Sequence, residues 1–160
     1  MESDVPAGPG SDPGWLLGNL IEQVPRTRSA VLLSADGMVT AEHGLGRDDA
    51  DRLAPLTSSL CGIARTVAVT FDGKDGVRQV VIEMDSTMLF ASSAGHNSVL
   101  AVLADRSVNA GVLGYEMTQL VKSVQPFLAS QPRMRGAVKR AVAATELERR
   151  AANSDTGSRV

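Results

Sequence analysis

Apolar residues recur at helical spacing in three stretches of this chain and form strand-like runs in five others. Leu16, Leu17, Leu20, Ile21 and Val24 share one helical face, and Pro25 stops that helix. Asp12 followed by Pro13 reads as an N-cap with proline at the first helical position. Arg28–Ser34 is an apolar strand. Ala35-Asp36-Gly37 is a hairpin turn, because Asp-Gly supplies a glycine that accepts positive φ, and Met38–Glu42 is the return strand. After a loop at His43–Gly46, Asp48 and Asp49 open a second helix, where the N-terminal dipole favours acidic side chains. Leu53, Thr57, Leu60, Cys61, Ala64 and Ala68 form its stripe, and Leu56, Ile63 and Val67 widen it. A stripe this wide predicts a helix covered on more than one side. Pro55 fits such a helix if it begins near Asp51 or Leu53.

The second half is a meander and a helix. Arg78–Met84, Thr87–Ala94 and Ser98–Ala104 are strands, separated by Asp85-Ser86 and by Gly95-His96-Asn97. Loops this short make them antiparallel neighbours, and the apolar run Ser98–Ala104 is expected at the sheet centre. Leu113, Met117, Leu120, Val121, Val124 and Leu128 mark a last helix from about Gly111 to Leu128, which Pro126 is expected to end or kink. The predicted order is α-β-β-α-β-β-β-α. This is an α+β fold, a five-stranded antiparallel sheet with helices on both faces. Residues 1–14 hold three Pro and three Gly without apolar periodicity and are expected to be a disordered leader. The domain is expected over residues 15–128. Residues 129–160 form a basic tail, disordered or marginally helical, because its apolar residues are nearly all Ala and Val.

Composition narrows the classes. With 43% hydrophobic residues but only 3% aromatics, a packed core must be built from aliphatic side chains. The net charge of −2 argues against general nucleic-acid binding. That charge is uneven: 9 basic and 15 acidic residues before position 129 give −6, and 7 basic and 3 acidic from there on give +4. One cysteine, Cys61, allows no internal disulfide. No run approaches about 18 consecutive apolar residues, and no signal peptide is seen. These features predict a cytoplasmic protein without a transmembrane segment. Peripheral membrane association remains open through partners or the basic tail.

Residues that carry chemistry are scarce. Gly73-Lys74 is followed by Asp75, so the chain has no P-loop, and the Gly44/Gly46 pair lacks the context of a dinucleotide site. His43 and His96 fall in predicted loops without an orienting partner. Two His and one Cys show no metal-ligand spacing. Cys61 reads as a small buried hydrophobe, and Ser58-Ser59 and Ser92-Ser93 have no base nearby. Asp48, Asp49 and Asp51 read as helix N-terminal charge before they read as a recognition patch. Tyr115-Glu116-Met117 reads as packing before contact. Arg133, Arg135, Lys139, Arg140, Arg149 and Arg150 read as a solvated tail before an acidic-partner site. The expectation is no enzyme, no cofactor and no metal.

Three segments carry a family resemblance: Leu33-Ser34-Ala35-Asp36-Gly37-Met38, Val81-Ile82-Glu83-Met84-Asp85, and Asn109-Ala110-Gly111-Val112-Leu113-Gly114-Tyr115-Glu116-Met117. In this order they resemble the roadblock/LC7 family, a profilin-like fold, over about Trp15–Leu128. The leader and basic tail look like the roadblock component of actinobacterial conservons. The resemblance implies a homodimer paired through Asp48–Ala68 and Gln79–Met84. Its interface residues are then Arg52, Leu53, Leu56, Ser59, Leu60, Ile63, Val67, Gln79, Val81 and Glu83. It also implies a small Ras-like GTPase as partner, with its nucleotide cycle modulated or the GTPase scaffolded with a sensor-kinase-like protein. Arg47, Arg52 and Arg65 are arginine-finger candidates by location alone. The alternative is a ligand-sensing domain of PAS or GAF type, disfavoured by the five aromatics Trp15, Phe71, Phe90, Tyr115 and Phe127.

Overall fold

Local signals at the start of the chain set the first helix, α1 (Pro13–Gln23). In the computed structural model, which describes residues 12–129 and 145–152, Asp12 caps it. The Gly14 amide donates to Asp12 Oδ1 at 3.0 Å, and Pro13 occupies the first turn, where its missing N–H costs nothing. The strands β1 (Thr27–Ser34) and β2 (Val39–His43) follow as a hairpin, with Gly37 at φ +86° in the turn. The second helix is α2 (Arg47–Asp72), ended by Gly73 in the left-handed conformation. Three strands come next: β3 (Val80–Glu83), β4 (Thr87–Gly95) and β5 (Ser98–Asp105). The last is joined to β4 through His96 and Asn97, both at positive φ. Helix α3 (Ala110–Ala129) closes the order, its first turn satisfied by Asn109, whose Oδ1 accepts from the Val112 amide at 3.1 Å.

The predicted α-β-β-α-β-β-β-α order is therefore the observed one, and the five strands form one antiparallel sheet in the order β2-β1-β5-β4-β3. β5 lies at its centre, as its solid apolar run requires. Three local expectations change. Pro126 does not end α3, which runs to Ala129. His43 is the last residue of β2 and not part of a loop. α2 begins at Arg47, which places Pro55 well inside it. The hairpin turn fits against that proline: a side chain at Gly37 would meet Pro55 Cα at 3.0 Å. One turn on, the Ser58 hydroxyl donates to the Ala35 carbonyl, tying α2 to the same turn. Of the leader, residues 1–11 lie outside the described residues. So do 130–144 and 153–160 of the tail, while 145–152 are helical.

The pleat sends alternate side chains to opposite faces. One face joins Val31, Leu33, Leu89, Ala91, Val99 and Ala101 to Ala50 and Ala54 of α2. The other face holds the alternate residues Ala30, Leu32, Phe90, Leu100 and Val102. Leu17 and Leu20 of α1, Val24 directly after it, and Leu113, Met117 and Val124 of α3 are likewise buried. α1 and α3 lie side by side, with Leu16, Asn19 and Leu20 facing Glu116, Gln119 and Leu120 across a shallow cleft.

Two close fits make the sheet end and corner specific. At Gly44, φ is +78° and an added Cβ would sit 2.4 Å from the Arg28 carbonyl oxygen. At the end of β5, Arg28 donates to Asp105 Oδ2 at 3.0 Å and to Thr87 Oγ1 at 3.0 Å, linking β1, β5 and β4. Asp105 Oδ1 accepts from the Ser107 amide and hydroxyl. These two bonds, ahead of Arg28, hold the Asp105 carboxyl down at about 2.

Two outcomes follow. Gly44→Ala is expected to cost at least about 2 kcal/mol, combining left-handed strain with a backbone clash, as read by urea denaturation. Asp105 has a folded pKa below its unfolded value, so its contribution is present above the unfolded value and is lost as pH falls through the folded one. Wild-type stability should therefore drop between about pH 4 and about pH 2, and Asp105→Asn should be less stable at neutral pH with a shallower acid slope. Equal slopes in parallel denaturation series would show that the group contributes nothing.

Candidate functional site

α2 places its smallest side chains inward and larger apolar ones outward. Ala50, Ala54 and Thr57 fall on one side of the helical period and are fully buried. Arg52, Leu56, Ser59, Ile63 and Val67 fall on the opposite side, within an arc of about 80°. Leu56 and Ile63 are each 63% exposed, and Val67 is 52% exposed. Leu53 and Leu60, expected in the same set, do not join this face. They flank it, half-buried, and pack on the core beneath the helix.

The outward face also withdraws its own polar groups. Ser59 Oγ donates to the Pro55 carbonyl at 2.9 Å, Thr66 Oγ1 to the Gly62 carbonyl at 3.1 Å, and Thr70 Oγ1 to the Thr66 carbonyl at 2.7 Å. Each bond runs one turn back along the helix, so these hydroxyls need no outside partner when water leaves. The apolar stripe alone does not show this. The spacing of Ser59, Thr66 and Thr70 on the same face was the available signal.

β3 lies beside the helix at the sheet edge. Its Val80 and Ile82 pack toward α2, while Val81 (47%) and Met84 (44%) are exposed. One side of β3 pairs with β4; among the described residues no strand pairs with the other. Glu83 is held by Arg106 at 3.0 Å, and the Gln79 amide reaches the Met117 sulfur at 3.9 Å. The seam between α2 and β3 is nearly filled: Cys61, Arg65, Val77 and Val80 leave only about 20 Å³. Burial pushes the Cys61 thiol up and the Arg65 guanidinium opposes it, so this is not an activated nucleophile.

The three arginines near the helix differ. Arg47 pairs with Asp51 at 3.6 Å, Arg65 with Asp75 at 3.9 Å, and Arg52 stands exposed on the outward face. No group of three or more His, Cys, Asp or Glu side chains among the described residues is arranged to hold a metal ion. By length and composition α2 is long and apolar enough to cross a membrane. Its buried side is engaged by the sheet, however, and its outward side carries Arg52. The arrangement offers an apolar strip next to an open strand edge, which is equipment for contact between proteins.

Comparison with known proteins agrees with the fold. The model of the Roadblock/LC7 domain family matches residues 13–104. A Roadblock/LC7 domain from Streptomyces avermitilis is 55% identical, covers 74% of this chain and 99% of its own, and superposes with a TM-score of 0.72. MglB of Myxococcus xanthus is 17% identical, covers 74% of this chain and 95% of its own, and has a TM-score of 0.66. Profilin IA of Acanthamoeba castellanii is 13% identical, covers 71% and 96%, and has a TM-score of 0.50. The last two are likenesses of fold alone. No curated protein matches the chain.

Proposed function

This chain belongs to the Roadblock/LC7 domain family, and from that premise we propose that it is a cytoplasmic, non-enzymatic interaction module. It pairs with a second copy through α2 and β3, and the pair binds a small Ras-like GTPase. The GTPase's nucleotide cycle is then modulated by contact, or the GTPase is scaffolded with a sensor-kinase-like partner. The observation that carries this reading is the outward face of α2: apolar, exposed, internally hydrogen-bonded and continuous with an unpaired strand edge.

Magnitudes favour a pair that uses both features. Covering the exposed parts of Leu56, Ile63 and Val67 on two protomers gains roughly 6–12 kcal/mol, against an association cost of about 4–15 kcal/mol. The strip alone only matches that cost. Pairing β3 with a second β3 removes the open edge and adds main-chain hydrogen bonds, which tips the balance. The PAS- or GAF-type alternative gives way to the family assignment.

Leu56→Asp and Ile63→Asp replace side chains that are mostly exposed in the single chain. Each is expected to give a folded monomer in size-exclusion chromatography with light scattering. Folded dimers from both variants would move the interface elsewhere. For the partner, calorimetry should use the full chain and a purified small Ras-like GTPase from the same genome, loaded in turn with GDP and with a non-hydrolysable GTP analogue. Binding that differs between the two states is expected, and no heat in either state would overturn the GTPase reading.

A further inference from the structure

The far edge of the sheet carries a second surface, unrelated to α2 and β3. A groove of about 460 Å³ runs between α1 and β2, lined by Asp12, Trp15, Gly18, Glu22, Glu42 and His43. Gly18 is what lets the two elements approach: a Cβ there would lie 3.0 Å from the His43 ring. β2 pairs only with β1, so among the described residues its outer edge meets no other strand.

Three independent features give this groove a preference. First, the formal charges among its lining residues are the carboxylates of Asp12, Glu22 and Glu42. Second, Trp15, the chain's single tryptophan, stands 47% exposed on its wall, where its ring face is open to a ligand. Third, Glu42 Oε2 is packed out of reach of water and has no hydrogen-bond partner among the described residues, so this carboxylate gains a donor only by turning outward into the groove. A carboxylate oxygen in that state lacks a donor.

We propose that this groove binds an extended, arginine- or lysine-bearing segment of a partner protein, laid along the outer edge of β2. The main chain of such a segment pairs with the strand edge. Its cationic side chains meet the three carboxylates, and one of them stacks on the Trp15 ring. Nucleic acid and anionic membrane are repelled by the same charges. The proposal does not depend on the pairing of α2 and β3.

The test uses the full chain and a nine-residue peptide of alternating arginine and valine, with a glutamate-valine peptide as control. Trp15 emission reports the groove directly, without any substitution. The expected result is a saturable change in emission with the arginine peptide, weakened by salt and absent with the control. The double variant Glu22→Gln/Glu42→Gln should bind about tenfold more weakly. Leu56→Asp should bind as the wild type does, which separates this surface from the α2 face. Unchanged Trp15 emission at saturating peptide would overturn the proposal, as would a folded double variant with wild-type affinity. An equal emission change with Ca²⁺ or Mg²⁺ alone would mark a cation site and overturn it too.

Discussion

The closeness of α2 to the sheet governs the rest of this structure. Ala50, Ala54 and Thr57 are the fully buried residues of α2, and all three are small. A helix can approach strands closely only through such side chains, and the cost is a thin layer of buried apolar surface on that side. Larger residues are left to the flanks, where Leu53 and Leu60 pack half-buried on the core, or to the outward side. Leu56, Ile63 and Val67 stand outward because the inner side has no room for them, and their exposure is a consequence of how the core closes.

The same constraint arranges the neighbouring elements. Pro55 presses on the turn at Gly37, and Ser58 bonds to the Ala35 carbonyl, so α2 is fixed to the first hairpin as well as to the strands. At its other end Arg65 reaches Asp75 in the segment leading into β3. The helix thus spans the sheet from the first hairpin to the strand at the opposite edge. Its outward strip ends next to the edge of β3 that no strand among the described residues pairs with, and the two form one surface. The two sheet edges differ for a related reason. β3 has α2 and its apolar strip beside it, whereas β2 has α1 with its carboxylates and an exposed ring.

Much of this is legible in the residue order. Asp12-Pro13, Asp36-Gly37 and Gly95-His96-Asn97 mark boundaries through backbone preferences that depend on a few adjacent residues. The central place of β5 follows from its solid apolar run. Proline positions follow a different rule. Pro55 and Pro126 both sit inside helices, because tertiary packing outweighs the loss of one hydrogen bond. Of the candidate interface residues, Leu56, Ile63, Val67 and Val81 are exposed, whereas Leu53 and Leu60 turn back to the core. A stripe at 3.6-residue spacing shows that such residues are neighbours, not which half of a wide stripe the sheet will cover.

Taken by itself, the sequence determined the element order, the antiparallel meander, the aliphatic character of the core and the family. All of these rest on local periodicity, turn chemistry and residue type. Only the tertiary structure decided which side of α2 faces out. It alone brought Arg28 to Asp105 and Thr87, and it set Trp15 against β2. Each of these depends on where distant segments stop one another, and steric limits between residues far apart in the chain leave no mark on local pattern.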